Sequence, residues 1–167
     1  LETSHRSDWR GLRSKHEGGS GMKTLRILDT GVANIASILA AFSRLGMSPE
    51  LTRSPQDILK ADYAVLPGVG AFGAGMEMLR RAELDSPLKA RIQRGRPALA
   101  VCLGLQMLCE QSEESPGVEG LGLFSQEVRR FPTGVRIPHF GWNQVDASDE
   151  CTIPSSGYAY FANSYHL

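Results

Sequence analysis

Residues 98–106 read Ala98-Leu99-Ala100-Val101-Cys102-Leu103-Gly104-Leu105-Gln106, and how this stretch is parsed decides the fold. Pro97 to Val101 is a short apolar run of the length of a buried strand. Behind it a helix is expected to start at Cys102 and run through Leu105, Leu108 and Cys109. A strand that passes straight into a helix places the residue at the junction on a tight turn. Its side chain is thrown clear of the sheet. Cys102 stands at that junction. A helix N-terminus behind the sulfur favours thiolate over thiol. Gly104 allows close approach of the turn and a ligand, and the Leu103 N–H is free to bind a developing oxyanion. A buried small hydrophobe is the competing reading of Cys102, since free cysteine often packs inside. Cys109 is read as filler.

Working outward, the same alternation recurs. Leu25–Leu28 is a strand ending at Asp29-Thr30-Gly31. Asn34 suits a helix N-cap, followed at helical spacing by Ile35, Ile38, Leu39, Phe42 and Leu45, with Gly46 closing the helix. Tyr63–Leu66 is a second strand, broken by Pro67-Gly68. Met76, Leu79 and the residues after them form one further helix. Strands alternating with helices predict an α/β fold, a doubly wound, mostly parallel sheet. Past about Gly120 the helical period fades, and Glu127–Phe131, Val135–Ile137 and Tyr158–Phe161 predict a small antiparallel extension. Pro67-Gly68-Val69-Gly70 sits just beyond a strand, so its backbone amides can turn inward to supply the other half of an oxyanion hole. An ordinary Gly-rich turn fits these residues equally well.

The composition narrows the class. Of 167 residues, 41% are hydrophobic and 22% charged, which suits a globular chain with a core. Lys plus Arg and Asp plus Glu are 18 each, so no net field points to nucleic acid or a membrane surface. No apolar run is long enough to span a bilayer. Three cysteines, Cys102, Cys109 and Cys151, cannot all pair, and no signal peptide is visible, so a reducing cytoplasmic setting is expected. Residues 1–21 carry scattered charge and a Gly/Ser end and are read as a tag or disordered extension before Met22. The domain is expected to occupy residues 22–167.

Five segments in order carry a resemblance: D-T-G-V-A-N-I-A-S at 29–37, P-G-V-G at 67–70, C-L-G-L-Q at 102–106, P-H-F-G-W-N at 138–143 and Y-F-A-N-S-Y at 160–165. Together they resemble the glutaminase subunits of imidazole glycerol phosphate synthase, which are class I, triad-type glutamine amidotransferases of histidine biosynthesis. The resemblance covers Met22 to Leu167. C-x-G-x-Q alone is moderately specific, whereas P-G-V-G with P-H-F-G-W-N in one chain is strong. The resemblance implies that Cys102 is the nucleophile, attacking the side-chain amide carbon of glutamine. It implies an oxyanion hole from Val69, Gly70 and Leu103. Gly68, Gln106, Ser164 and Tyr165 would bind glutamine, the last two through main chain. Asn34, Pro138, His139, Phe140, Gly141, Trp142 and Asn143 would face a cyclase subunit built as a (β/α)₈ barrel, in a heterodimer that passes ammonia between subunits. No metal or organic cofactor is implied. The family commonly has methionine at the place of Phe140, lysine near Arg136 and histidine at the place of Asn163.

The resemblance also implies a catalytic histidine and a glutamate two residues apart, in a segment like H-P-E downstream of Ser164-Tyr165. Only His139 and His166 follow Cys102, and neither has that spacing. His139 belongs to the interface motif. The expectation is therefore a C-terminally truncated chain, inactive and poorly soluble by itself. A catalytically silent partner-binding module is the alternative, with a glutaminase serving another synthase and a cysteine hydrolase or redox sensor of related fold behind it.

Overall fold

A computed structural model describes residues 23–31, 34–149 and 155–167. The extension read at residues 1–21, and Cys151, lie outside the described residues. The first half builds one parallel sheet from β1 (Leu25–Leu28), β2 (Pro49–Thr52), β3 (Tyr63–Leu66) and β4 (Ala98–Ala100), in the order β2-β1-β3-β4. The connecting helices are α1 (Ile35–Arg44), α2 (Pro55–Lys60), α3 (Phe72–Arg81) and α4 (Asp85–Gln93).

Strand alternation divides the core in two, because successive side chains point to opposite faces. Leu25, Ile27 and Val65 pack with Ile35, Ile38, Leu39 and Phe42 of α1. Leu28, Ala64 and Leu66 pack on the other face with Ile58 of α2, Phe72, Met76 and Leu79 of α3, and Leu88 of α4. Helices thus cover both faces, which is the doubly wound arrangement expected. The chain leaves β1 towards one face and β3 towards the other. That divergence opens a crevice at the carboxyl ends of the central strands, where α/β sheets take their ligands.

Local chemistry explains the helix boundaries. Asn34 Oδ1 accepts from Ser37 N at 3.3 Å and caps α1, while Gly46 turns the chain away at φ +78°. Ser54 caps α2, with Pro55 in its first turn. The cap of α3 is non-local: Ala71 offers no side-chain acceptor, and Glu114 Oε2 and Ser115 Oγ accept from Phe72 N at 2.7 Å and Gly73 N at 2.9 Å. Arg91 of α4 is fully buried and forms no salt bridge among the described residues. Its guanidinium donates to the carbonyls of Ile58, Ala61, Asp62 and Pro97, tying the end of α2 to the entrance of β4.

Three expectations are corrected. The helix behind Cys102 is one turn, α5 (Leu103–Gln106), and Cys109 opens a strand, β5 (Cys109–Ser112). So short a helix carries little macrodipole. The helix expected after Met76 is two, α3 and α4, divided where Glu83 takes φ +56°. Val135–Ile137 is irregular chain leading into β7 (His139–Val145). The remaining strands are β6 (Phe124–Arg130), β8 (Gly157–Asn163) and β9 (Tyr165–His166). β7 and β8 pair antiparallel, β6 pairs antiparallel with β9, and β5 runs parallel to β6. The extension is thus mainly, though not wholly, antiparallel. No helix among the described residues is long and apolar enough to cross a membrane.

Candidate active site

β3 and β4 end side by side, and Val101 N continues their ladder by donating to Leu66 O at 3.0 Å. Cys102 follows with φ +55° and ψ −119°. A non-glycine residue in that region costs about 1–3 kcal/mol and persists only where its surroundings enforce it. The enforcement is visible. Cys102 O receives Leu105 N at 2.9 Å and Gln106 N at 3.2 Å, closing α5 directly behind the turn. A Cβ on Gly104 would lie 2.1 Å from Leu66 O, so only glycine lets α5 press this closely on the end of β3. The turn pushes Cys102 out, and the residue is exposed. Cys109 is buried, and burial pushes its thiol pKa up, as expected of a packing residue.

The loop after β3 lies against this turn. A Cβ on Gly68 would come within 2.9 Å of Leu103 Cβ and 2.8 Å of Gly104 N. Gly68 is therefore the contact point between loop and elbow, and it does not itself line the cleft. Beyond it, Gly70 takes φ +96°. The amides of Val69, Gly70 and Leu103 donate to no protein acceptor among the described residues. The three residues that carry these free donors line the same cleft as the exposed Cys102.

These groups line a cleft of 360 Å³, within the range of small-molecule sites. One wall is Val69, Gly70, Cys102, Leu103 and Gln106, and the facing wall is Ala162, Asn163, Ser164 and Tyr165. Pro138 and Phe140, expected to face a partner, form part of the cleft as well. Gln106 Nε2 reaches Tyr165 O at 3.5 Å, and Phe131 N donates to Ser164 O at 3.2 Å. The carbonyls of the Ser164-Tyr165 pair are thus already engaged by the protein.

Glu114 also lines the cleft, and the sequence reading missed it. It sits in a polar turn, Ser112-Glu113-Glu114-Ser115, where nothing local marks one carboxylate as special. Its long-range bond to Phe72 N places it, and the same bond braces the start of α3 immediately after the 67–70 loop.

No histidine among the described residues lines the cleft. His139 Nε2 meets Asn143 Nδ2 at 2.9 Å, and its ring stacks on Phe161, while His166 stacks on Phe131. Asn34 stands at the same carboxyl end of the sheet, its side chain occupied as the α1 cap. Trp142 is 70% exposed on the outer face of the β7–β8 hairpin, opposite Tyr160, with which it makes an edge contact at 5.7 Å. A larger groove of 700 Å³ runs beside β4 on the α1 face. Its walls are mainly Leu25, Phe42, Met47, Val65 and Leu99, which offer nothing for bond-breaking chemistry.

Comparison with known proteins agrees with this geometry. Residues 41–133 match the CobB/CobQ-like glutamine amidotransferase domain. The chain is 40% identical over 150 residues to the imidazole glycerol phosphate synthase subunit HisH of Moorella thermoacetica, covering 87% of this chain and 71% of that one. It is 42% identical to the HisH subunit of Pyrococcus furiosus over 149 residues, 87% of this chain and 73% of that one. For HisH of Methanothermobacter thermautotrophicus the identity is 42%, over 85% and 72% of the two chains. The crystal structure of a glutamine amidotransferase superposes with a TM-score of 0.69 at 18% identity, over 87% of this chain and 72% of that one, which supports the fold. The α/β sheet, the exposed cysteine at its strand-to-helix turn and these relatives together establish that the chain belongs to the glutamine amidotransferase family, among the HisH glutaminase subunits of imidazole glycerol phosphate synthase.

Proposed function

We propose that Cys102 is the nucleophile that cleaves glutamine to glutamate and ammonia. The observation that carries this is the exposed, strained cysteine bordered by the free amides of Val69, Gly70 and Leu103. In this reading the Cys102 sulfur attacks the side-chain amide carbon, and the carbonyl electrons move onto oxygen. The three amides receive that oxyanion. The proton lost by the thiol passes to the amide nitrogen, so that collapse of the adduct expels ammonia and leaves a thioester, which water then hydrolyses to glutamate and the free thiol. The amino-acid end of glutamine extends towards Gln106, Ser164 and Tyr165. Glu114 is the one carboxylate lining the cleft among the described residues, and it complements the substrate's ammonium group.

The hairpin supports a docking role. Phe140, Trp142, Tyr158 and Tyr160 are 62%, 70%, 73% and 57% exposed, and the β7–β8 register puts them on one face. An exposed aromatic cluster of this kind suits a protein interface. We assign it to a cyclase subunit with a (β/α)₈ barrel, which takes the released ammonia across the joint surface to complete imidazole glycerol phosphate. Pro138 and Phe140 lie on both the hairpin and the cleft, so ammonia has a short route from sulfur to interface. His139 and Asn143 brace the hairpin from its inner side, and Asn34 stands near its rim. Residues 22–167 are assigned to this one domain. A free nucleophilic thiol needs reducing surroundings, and the cytoplasm provides them.

The test is covalent. A glutamine-mimicking chloroketone is expected to label Cys102, glutamine to protect it, and Cys102→Ser to abolish labelling. Labelling that ignores glutamine would refute the assignment. The exposed aromatic face of the β7–β8 hairpin also fits a second reading, a partner-binding module without turnover. Mass spectrometry of the protein with excess glutamine separates the two, because an acyl-enzyme supports the enzyme and its absence beside intact cyclase binding supports the module.

A further inference from the structure

Asn163 closes β8 at the cleft wall, and its side chain has a lopsided set of partners. Nδ2 donates to Tyr165 O at 2.9 Å, whereas Oδ1 is buried with no hydrogen-bond partner among the described residues. Turning the amide over would set oxygen against the Tyr165 carbonyl oxygen, so only this orientation makes a bond. An orphaned buried acceptor is costly, and here one is retained opposite a single favourable contact. That contact lands on an informative atom. Tyr165 O is also the acceptor of Gln106 Nε2, at 3.5 Å, from the helix directly behind Cys102. Asn163 and Gln106 therefore converge on one carbonyl, and that carbonyl joins the 164–165 strand to the nucleophile's own helix. Asn163, Ser164 and Tyr165 all line the cleft.

We propose that Asn163 is a positioning residue for glutamine. Its amide holds the Ser164–Tyr165 main chain against Gln106 and so sets the width of the pocket for the amino-acid end of the substrate. This rests on the glutaminase reading above. Losing the amide donor removes about one hydrogen bond of organisation, equivalent to a five- to tenfold weaker hold on glutamine. The reactivity of the sulfur itself is not set by this contact.

The full chain is labelled at Cys102 with the glutamine-mimicking chloroketone while glutamine is titrated as protectant. Iodoacetamide, which carries no amino-acid group, reports on the sulfur separately. Asn163→Ser, too short to reach Tyr165 O, is expected to raise the half-protecting glutamine concentration about five- to tenfold and to leave the iodoacetamide rate within about twofold. Asn163→His keeps a ring N–H donor and is expected to stay within about threefold of the native chain. Native protection in Asn163→Ser overturns the proposal, as does Asn163→His behaving like Asn163→Ser. A joint change of both probes and of the melting curve also overturns it, by assigning Asn163 to folding alone. Absence of protection in the native chain sinks the glutamine reading and this proposal together, whereas protection unaltered by Asn163→Ser sinks only the proposal.

Discussion

Gly104→Ala isolates the contact that makes the elbow. The new Cβ would fall 2.1 Å from Leu66 O and 3.0 Å from its carbon, and neither atom belongs to a flexible side chain. Leu66 O also accepts Val101 N at 3.0 Å, so retreat of that oxygen weakens the last rung between β3 and β4. The alternative is for α5 to lift by roughly 1 Å, taking Cys102 with it. Such overpacking costs about 1–3 kcal/mol, and the strained rung adds about 1 kcal/mol. Replacing glycine by alanine in a helix returns about 0.5–1 kcal/mol. The net loss is about 1–3.5 kcal/mol. At about 3 °C per kcal/mol for a domain of this size, the melting temperature should fall by about 3–10 °C. Displacing the sulfur by that distance should also slow chloroketone labelling by about 10- to 100-fold. Gly157→Ala is the control, since its Cβ meets nothing within 4 Å, and it should change stability by less than about 0.5 kcal/mol. If Gly104→Ala melts within about 1 °C of the native chain and labels at the native rate, the close-packed elbow is wrong.

Three further outcomes are expected. Glu114→Gln keeps an oxygen acceptor for Phe72 N but removes the charge. Stability should hold to within about 1 kcal/mol while glutamine protection of Cys102 weakens about tenfold, and a result with those two effects exchanged would make Glu114 only a helix cap. Cys109 has its pKa raised by burial, so its folded state favours the neutral thiol. Its stabilising contribution is complete below the unfolded thiol value of about 8.5 and is lost as pH rises from there through the folded value. Denaturant unfolding should show a decline above about pH 8.5 that is smaller in Cys109→Ala, and parallel curves would contradict the buried placement. The exposed flank of β4, with Leu99 and Val101 41% and 40% exposed beside the 700 Å³ apolar groove, should make the 167-residue chain self-associate. Size-exclusion chromatography that shows a monomer with a cooperative melt would count against this.

The hairpin and the cleft share Phe140, Pro138 leads from the cleft into β7, and Glu114 joins the cleft to α3. Each of the cleft's two walls is therefore tied to an element outside it. The sheet supplies only the rigid carboxyl edge on which Cys102 and the 67–70 loop stand.

Much of this was legible from local patterns. The apolar runs at 25–28 and 63–66 and the junction at Cys102 follow from periodicity and turn chemistry, which act over a few residues. So do the Asn34 cap and the Gly46 stop. The short, partly polar β2 and α2 carry no such period and were not read. α5 ends after one turn because the chain must enter β5 beside β6, a pairing that local helix preference does not register. The motif residues Cys102, Val69, Gly70, Leu103, Gln106, Ser164 and Tyr165 do meet in one cleft. Glu114 was not singled out, and Asn163 was noted only as a departure from the family, because what distinguishes them lies in partners: an amide 42 residues away for Glu114, and a carbonyl shared with α5 for Asn163. The sequence by itself marked Cys102 as the residue at a strand-to-helix turn, since such a turn is a local property. Only the tertiary structure decided what surrounds that residue, because hydrogen bonds between distant segments depend on how the sheet brings them together.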